Sequence, residues 1–304
     1  MTYDIITVGG GPAGLTAAIY GRRANKTVLV IEKETFGGQI TFSPKVENIP
    51  GFVALSGNEF AEKLVEQAVE QGADFESCEA LSVKDNGEIK TVVTDSGEFD
   101  CKAVIIATGA RHRLLGVPHE DEYIGNGISF CAVCDGAFNK DKEVAVIGGG
   151  NSALQEALLL AEQCKKVTVV QNLDFLTGEK KLAEQLEAKA NVEVILGTVV
   201  EEYCGTGDTL GGIRIKKVAD GTVSDLAVDG VFLAVGLVPQ NEPFADVISL
   251  DGRGYAESDE TCATKTGGIF VAGDCRTKKI RQVTTAAADG AIAALAACDY
   301  IDGR

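Results

Sequence analysis

Two cysteines three positions apart, Cys131 and Cys134 in FCAVCDGAF (130–138), are the residues of this 304-residue chain best suited to chemistry. Such a CxxC serves as a redox dithiol, as half of a zinc site, or as two unrelated buried thiols. Zinc needs two further ligands, yet the only histidines are His112 and His119 and there is no second CxxC. No metal is therefore expected. Redox use fits the spacing, because two intervening residues let the sulfurs close a small disulfide ring and one thiol can be activated by its neighbour. Asp135 follows directly, where a carboxylate can pass a proton to a leaving thiolate. Its other reading is a turn aspartate ahead of Gly136.

The second chemical signature is a glycine turn. Gly9, Gly11 and Gly14, with Pro12 and Ala13 between them, form GxGxxG after an apolar run. These glycines permit a tight turn, backbone approach to a pyrophosphate and close packing of strand on helix, and the helix N-terminus favours the anion. Glu32 lies 23 residues after Gly9, at the end of the next apolar run, where a carboxylate accepts hydrogen bonds from a ribose. A bound adenine dinucleotide is expected there.

The elements that must position these residues repeat. DIITVGGGPAGLTAAIYGRRANKTVLVIE is echoed by EVAVIGGGNSALQEALLLAEQCKKVTVVQ, each copy reading strand, glycine turn, amphipathic helix, strand. That is the βαβ dinucleotide unit with parallel strands buried on both faces. AVIIATGA (103–110) and GVFLAVGLVP (230–239) each add a later apolar strand ending in glycine. The expected fold class is α/β: two Rossmann-like three-layer domains, the second inserted into the first through 116–123 and 238–244. We expect an FAD-type domain over 1–117 and 241–304 and an inserted NAD(P)-binding-like domain carrying the CxxC over 118–240. The second turn keeps Gly148, Gly150 and Ala153, but Gln171 stands where the first copy has Glu32. Gln171, Asn172 and Leu173 supply neither the acid that suits NAD nor the arginines that suit the 2′-phosphate of NADP.

Composition sets bounds. The net charge of −17 favours solubility and repels phosphate backbones, so nucleic-acid binding is not expected. No apolar run is long enough to span a bilayer and no leader-like segment opens the chain, so a cytoplasmic, non-membrane protein is expected. Nine cysteines with one close pair do not read as a secreted disulfide framework, and most are expected to be buried thiols.

Over essentially its whole length the sequence resembles the low-molecular-weight thioredoxin reductases. The matching pieces are GGGPAG (9–14), FGGQI (36–40), VENIPGF (46–52), ATGA (107–110), CAVCDG (131–136), GGGNSA (148–153), VAGD (271–274) and RQVTTAAADG (281–290). The resemblance implies an FAD in the first domain, thioredoxin as substrate, a homodimer and a hinge between domains. It implies that Cys134 faces the flavin, that Cys131 attacks thioredoxin and that Asp135 is the acid–base residue. It also implies flavin contacts from Gly38, Gln39, Asn48, Thr108, Gly109, Gly273, Asp274, Arg281 and Gln282, with the helix after Gln282 directing its N-terminus at the flavin, where it would stabilise negative charge.

NADPH-using members carry an HRR-x-x-x-R motif after the second βαβ unit, and this chain reads QNLDFLTGEKK (171–181) there. Without arginine to fork onto a 2′-phosphate, the segment resembles pyridine-nucleotide-independent branches, notably the ferredoxin-dependent flavin thioredoxin reductases, and also a deazaflavin-dependent branch. Reduced ferredoxin is the expected donor, with NADPH or NADH the alternative. Within the cluster of Arg276, Lys278, Lys279 and Arg281, Lys278 and Lys279 are expected to steer an acidic donor, with Arg22, Arg23 and Lys26 as a second patch; the other reading of the cluster is a solvated loop. A related flavin-dependent ferredoxin–NADP reductase would lack the CxxC and keep a good nucleotide site, and a non-catalytic flavin sensor would leave the CxxC–Asp without use.

Cys131→Ser and Cys134→Ser are each expected to abolish thioredoxin reduction and to retain FAD. Only Cys131→Ser, which keeps the Cys134 thiolate, should show a long-wavelength flavin charge-transfer band. A band in the other variant exchanges the two roles.

Overall fold

The computed structural model describes residues 2–43 and 46–303. The chain divides into one unit of residues 1–111 and 238–304 and a second of 112–237. The junctions fall N-terminal of 117/118 and 240/241, because residues 115–117 already belong to the second unit: Leu115 and Gly116 donate backbone N–H groups to Glu120 at 3.0 and 2.7 Å, and Leu115 and Val117 pack into that unit's core.

The first unit opens with β1 (Thr2–Val8), α1 (Pro12–Arg23) and β2 (Val28–Glu32). Pro12 sits at the first helical position of α1, where its missing N–H is no loss. Next come α2 (Gly57–Glu70), β3 (Asp74–Ser77), β4 (Ala80–Asn86), β5 (Ile89–Thr94), β6 (Glu98–Ile106) and β7 (Ala110–His112). Ser56 and Glu59 form a capping box at the start of α2. The strands order β3-β2-β1-β6-β5-β4. The parallel pairs β1–β2 and β1–β6 run in register to Val8↔Ile31 and Val8↔Ile106, so all three strands end at one edge.

The second unit contains α3 (Glu120–Tyr123), β8 (Ile128–Ser129), α4 (Ala132–Asp135), β9 (Glu143–Ile147), α5 (Asn151–Ala161), β10 (Lys166–Val170), α6 (Lys180–Glu187) and β11 (Val192–Ile195). An antiparallel meander follows, β12 (Thr198–Thr206), β13 (Thr209–Lys217) and β14 (Val223–Ala227), and then β15 (Gly230–Leu233). The parallel sheet orders β11-β10-β9-β15-β8. The meander packs on one face through Tyr203, Ile213 and Ile215, and α5 covers the other through Leu154, Ala157 and Leu160.

After β16 (Leu237–Pro239) the chain returns to the first unit. There β17 (Ile269–Val271) pairs parallel to the second half of β6, whose first half is paired antiparallel to β5. The last helix, α7 (Val283–Asp302), lies against α1. The expected mixed α/β architecture with parallel sheets is thus observed in each unit. Among the described residues no helix is long and apolar enough to cross a membrane. Six of the seven unpaired cysteines are buried, and Cys204 is half-buried.

The α1–α7 crossing has no room for a side chain: a Cβ on Gly290 would lie 2.1 Å from the Ala13 carbonyl oxygen. Gly290→Ala is expected to destabilise the protein by about 1–3 kcal/mol, the range for overpacking. Gly252→Ala, at a site with nothing within 4 Å, should be near neutral in the same urea titration.

Candidate active site

In the second unit, β8 delivers Ser129 and then Phe130 to Cys131, the N-cap of α4. Cys131 and Cys134 are joined as a disulfide, their Cα atoms 5.3 Å apart, and the Cys134 N–H donates to Cys131 Sγ at 3.2 Å. Between them Val133 is 65% exposed, so the ring presents an apolar tip. The Ser129 hydroxyl donates to Asp135 Oδ2 at 2.6 Å and accepts from the Cys131 N–H at 3.2 Å. Asp135 Oδ1 is buried without a partner. Burial pushes the Asp135 carboxyl above its ordinary range, and the Ser129 hydrogen bond offsets part of the rise. His112 stacks on Phe130 at 4.4 Å, and burial drops its imidazole to about 4, leaving it neutral at physiological pH.

In the first unit the predicted cofactor residues converge on the carboxyl edge of the parallel strands, where open α/β sheets bind ligands. Gly9 follows β1, Glu32 ends β2, Thr108 and Gly109 follow β6, and Gly273 and Asp274 follow β17. Gly9 has φ +111, and a Cβ there would lie 2.3 Å from Ala107 O; one on Gly14 would lie 1.9 Å from Gly9 O. Gly38 closes over the turn, its would-be Cβ 3.1 Å from the Gly11 Cα. Ala13 packs beside Gly273.

Glu32 accepts from the Gly10 N–H at 2.7 Å and the Glu34 N–H at 2.9 Å, and each oxygen keeps a lone pair for a ribose hydroxyl. Asp274 Oδ1 is a buried carboxylate oxygen with no partner. Burial raises its carboxyl despite the nearby charges of Lys278 and Arg281, so a hydroxyl-bearing ligand would supply what the protein does not. Arg281 donates to Asp274 O at 3.2 Å and lies over the Tyr255 ring. Gln282 caps α7, its N–H on Thr285 Oγ1, and its carboxamide oxygen accepts from Asn48 at 3.1 Å. Gln39 is exposed on the turn of residues 38–42. These residues fit a flavin dinucleotide: glycines where a pyrophosphate needs backbone, a carboxylate for a ribose and an orphaned acceptor beyond it.

The second glycine turn reproduces the first in shape. A Cβ on Gly148 (φ +131) would lie 2.5 Å from Ala234 O. Gln171 takes the place of Glu32, but its buried amide is spent locally, donating to Phe175 O at 3.3 Å and accepting from the Asn172 N–H at 3.2 Å. The Thr177 and Gly178 N–H groups tie the loop to Gly149 O at 2.8 and 2.9 Å.

The profile of pyridine nucleotide-disulphide oxidoreductases matches residues 3–290. The chain belongs to that family. It is 41% identical over 300 residues to a thioredoxin reductase of Listeria monocytogenes, covering 99% of this chain and 94% of that protein. A thioredoxin reductase of Bacillus subtilis is 40% identical over 99% of this chain and 95% of its own. The crystal structure of thioredoxin reductase from Streptococcus pyogenes superposes with a TM-score of 0.95 at 40% identity, covering 100% of this chain and 99% of that one. Within the family the chain falls with the low-molecular-weight thioredoxin reductases, and it is an FAD flavoprotein oxidoreductase.

The predicted docking patches do not survive as free charge. Lys278 is half-buried and donates to Asp289 Oδ2 at 2.8 Å, while the buried Arg276 forks onto both oxygens of the same carboxylate at 2.8 and 2.9 Å. Burial would push Asp289 up, but these cations outweigh it and hold it below its ordinary range. Lys26 pairs with Asp302, and Arg22 donates to Gln71 O and Lys26 O. Only Lys279 and Arg23 of the seven cations are exposed.

Sequence reasoning also missed Ser129, Asp289 and Asn241. Asn241 is fully buried and accepts from Thr108 Oγ1 at 3.0 Å while donating to Cys275 O at 2.7 Å, so it links the turn after β6 to the one after β17. Lys278→Glu is expected to lower stability by about 3–5 kcal/mol, the usual cost of breaking a buried pair. Lys279→Glu should stay within about 0.5 kcal/mol, as exposed substitutions do. Urea unfolding of the two variants tests the assignment.

Proposed function

We propose that this family member is a thioredoxin–disulfide reductase, acting as a cytoplasmic homodimer, that passes two electrons through FAD to the Cys131–Cys134 disulfide and from the resulting dithiol to thioredoxin. The observation that carries this reading is the half-buried disulfide with the buried carboxyl of Asp135 directly behind it. Bound FAD would supply two-electron storage between donor and disulfide. Cys131 attacks the thioredoxin disulfide, Cys134 is the sulfur that faces the flavin, and Asp135 moves protons between thiols. The residues gathered at the carboxyl edge of the first unit hold the cofactor: Gly9 to Gly14 at its pyrophosphate, Glu32 at the ribose and Asp274 at a further hydroxyl.

For the donor, the comparisons favour a reduced pyridine nucleotide, since the matching family is named for it and the relatives match over 99% of this chain. One observation favours reduced ferredoxin instead: residues 171–179 contain no arginine or lysine, and the Gln171 amide is already engaged by its own loop. Energetics permit the second route, since passage from about −400 to about −270 mV releases roughly 6 kcal/mol for two electrons. With Lys278 engaged by Asp289, Lys279 is the one of these two lysines left exposed to meet ferredoxin.

Anaerobic mixing of the holoenzyme with NADPH, NADH, reduced deazaflavin and reduced ferredoxin decides the donor. Rapid flavin bleaching by micromolar NADPH or NADH supports the first route, and bleaching by ferredoxin alone supports the second. Asp135→Asn is expected to slow thiol–disulfide exchange about 10²-fold or more, the scale of a positioned acid–base group, with flavin reduction by the donor little changed. An unchanged exchange rate would return Asp135 to a turn role.

A further inference from the structure

We propose that Ser129 is the positioning residue of the acid–base step, fixing the Asp135 carboxyl so that Oδ2 is held by hydrogen bonding and Oδ1 is the oxygen that carries the proton. This rests on the reading of Asp135 as the acid–base group.

A serine hydroxyl has one hydrogen and two lone pairs. The Cys131 N–H occupies a lone pair of Ser129 Oγ at 3.2 Å, which leaves the hydrogen for the 2.6 Å contact with Asp135 Oδ2. Oδ2 is therefore an acceptor whether the carboxyl is charged or neutral. Oδ1 is buried with no partner, and a bare charge there is costly in an apolar setting. The two oxygens of one carboxyl thus have separate tasks, and the same hydroxyl ties the acid to the backbone of the first cysteine.

The proton path then balances. The Cys131 thiolate attacks one thioredoxin sulfur, the thioredoxin S–S bond breaks, and the departing thiolate takes the proton from Asp135 Oδ1. The carboxylate takes the proton of the Cys134 thiol, and the Cys134 sulfur attacks the mixed disulfide. The second thioredoxin thiolate leaves and is protonated from solvent, replacing the proton that Cys131 gave up on ionising. The enzyme dithiol is oxidised to the disulfide, thioredoxin is reduced by the same two electrons, and Asp135 ends protonated as it began.

Few other groups can titrate nearby. Burial and the Ser129 hydroxyl are the influences on Asp135, and no charged side chain adds to them. On the packed elements lie Cys131 and Cys134 themselves and, from α5, Glu156, which is pushed up to about 8 by burial and so uncharged at neutral pH. Cys164, whose thiol donates to the backbone O of Asn139, the residue whose side-chain amide donates to Asp135 O, is also raised by burial. Asp135 and Glu156 are both carboxyls raised by burial, so an inflection of the exchange step that Asp135→Asn abolishes belongs to Asp135, and one that survives it belongs to Glu156 or the cysteines.

The test follows pre-reduced holoenzyme reacting with oxidised thioredoxin by stopped flow across the neutral pH range. Ser129→Ala removes a hydrogen bond that favours the charged carboxylate, so the inflection should move upward by about one pH unit, tenfold in proton affinity. Ser129→Thr, which keeps the hydroxyl, should restore it. Ser129→Cys, a weak donor of similar size, should move the inflection the same way and carries the test if the alanine variant does not fold. An inflection unmoved in Ser129→Ala or Ser129→Cys, while Asp135→Asn abolishes it, overturns the role of Ser129 alone. A wild-type profile in Asp135→Asn overturns the acid–base reading beneath it as well.

Discussion

At the carboxyl edge of each sheet the first turn passes so close to the neighbouring strand that only hydrogen fits where a side chain would be. A Cβ on Gly9 would meet the Ala107 carbonyl, and one on Gly148 would meet that of Ala234. Because the turn is pinned there, the helix behind it starts at a fixed place with its N–H groups directed at the crevice. Glu32, Thr108 and Asp274 come to the same edge because parallel strands in register end together. The second unit uses the same constraint and puts its dithiol at the carboxyl end of β8, beside β15.

Electrostatics separates carboxyl groups that sequence alone treats alike. Asp135 and Asp274 are raised by burial, and each keeps one oxygen without a partner. Asp289 is as buried as either, yet Arg276 and Lys278 keep it charged. The first two are suited to exchange a proton or receive a ligand, whereas the third anchors the segment between β17 and α7. In a chain with a net charge of −17, positive groups are spent in the interior instead of being displayed beside the cofactor edge.

The internal repeat and the glycine turns made the fold class and the cofactor edge legible, because backbone crowding demands glycine at those positions and apolar parallel strands leave an unmistakable run. The CxxC was legible for a similar reason, since its ring closure is local. What depended on contacts far apart in sequence was not. Lys278 reads as a surface charge until Asp289, eleven residues on, turns out to lie on the buried face of α7. Asn241 bridges Thr108 and Cys275, 133 and 34 residues away. Ser129 precedes the first cysteine by only two residues, but nothing in ISFC distinguishes a hydroxyl that holds an aspartate from one that faces water.

The return of the chain to its first unit also sets an order of assembly. Residues 112–237 form a unit whose sheet, meander and covering helix are all contained in one continuous stretch, so it can complete itself as soon as it leaves the ribosome. The first unit cannot: β6 lacks its neighbour β17, and α1 lacks α7, until residues 269–302 are synthesised. Pairings of such high contact order are slow to form, and nascent chains of this kind expose apolar sheet surface while they wait. The dithiol-bearing unit is thus complete in sequence before the strand and helix that close the flavin cradle have been made.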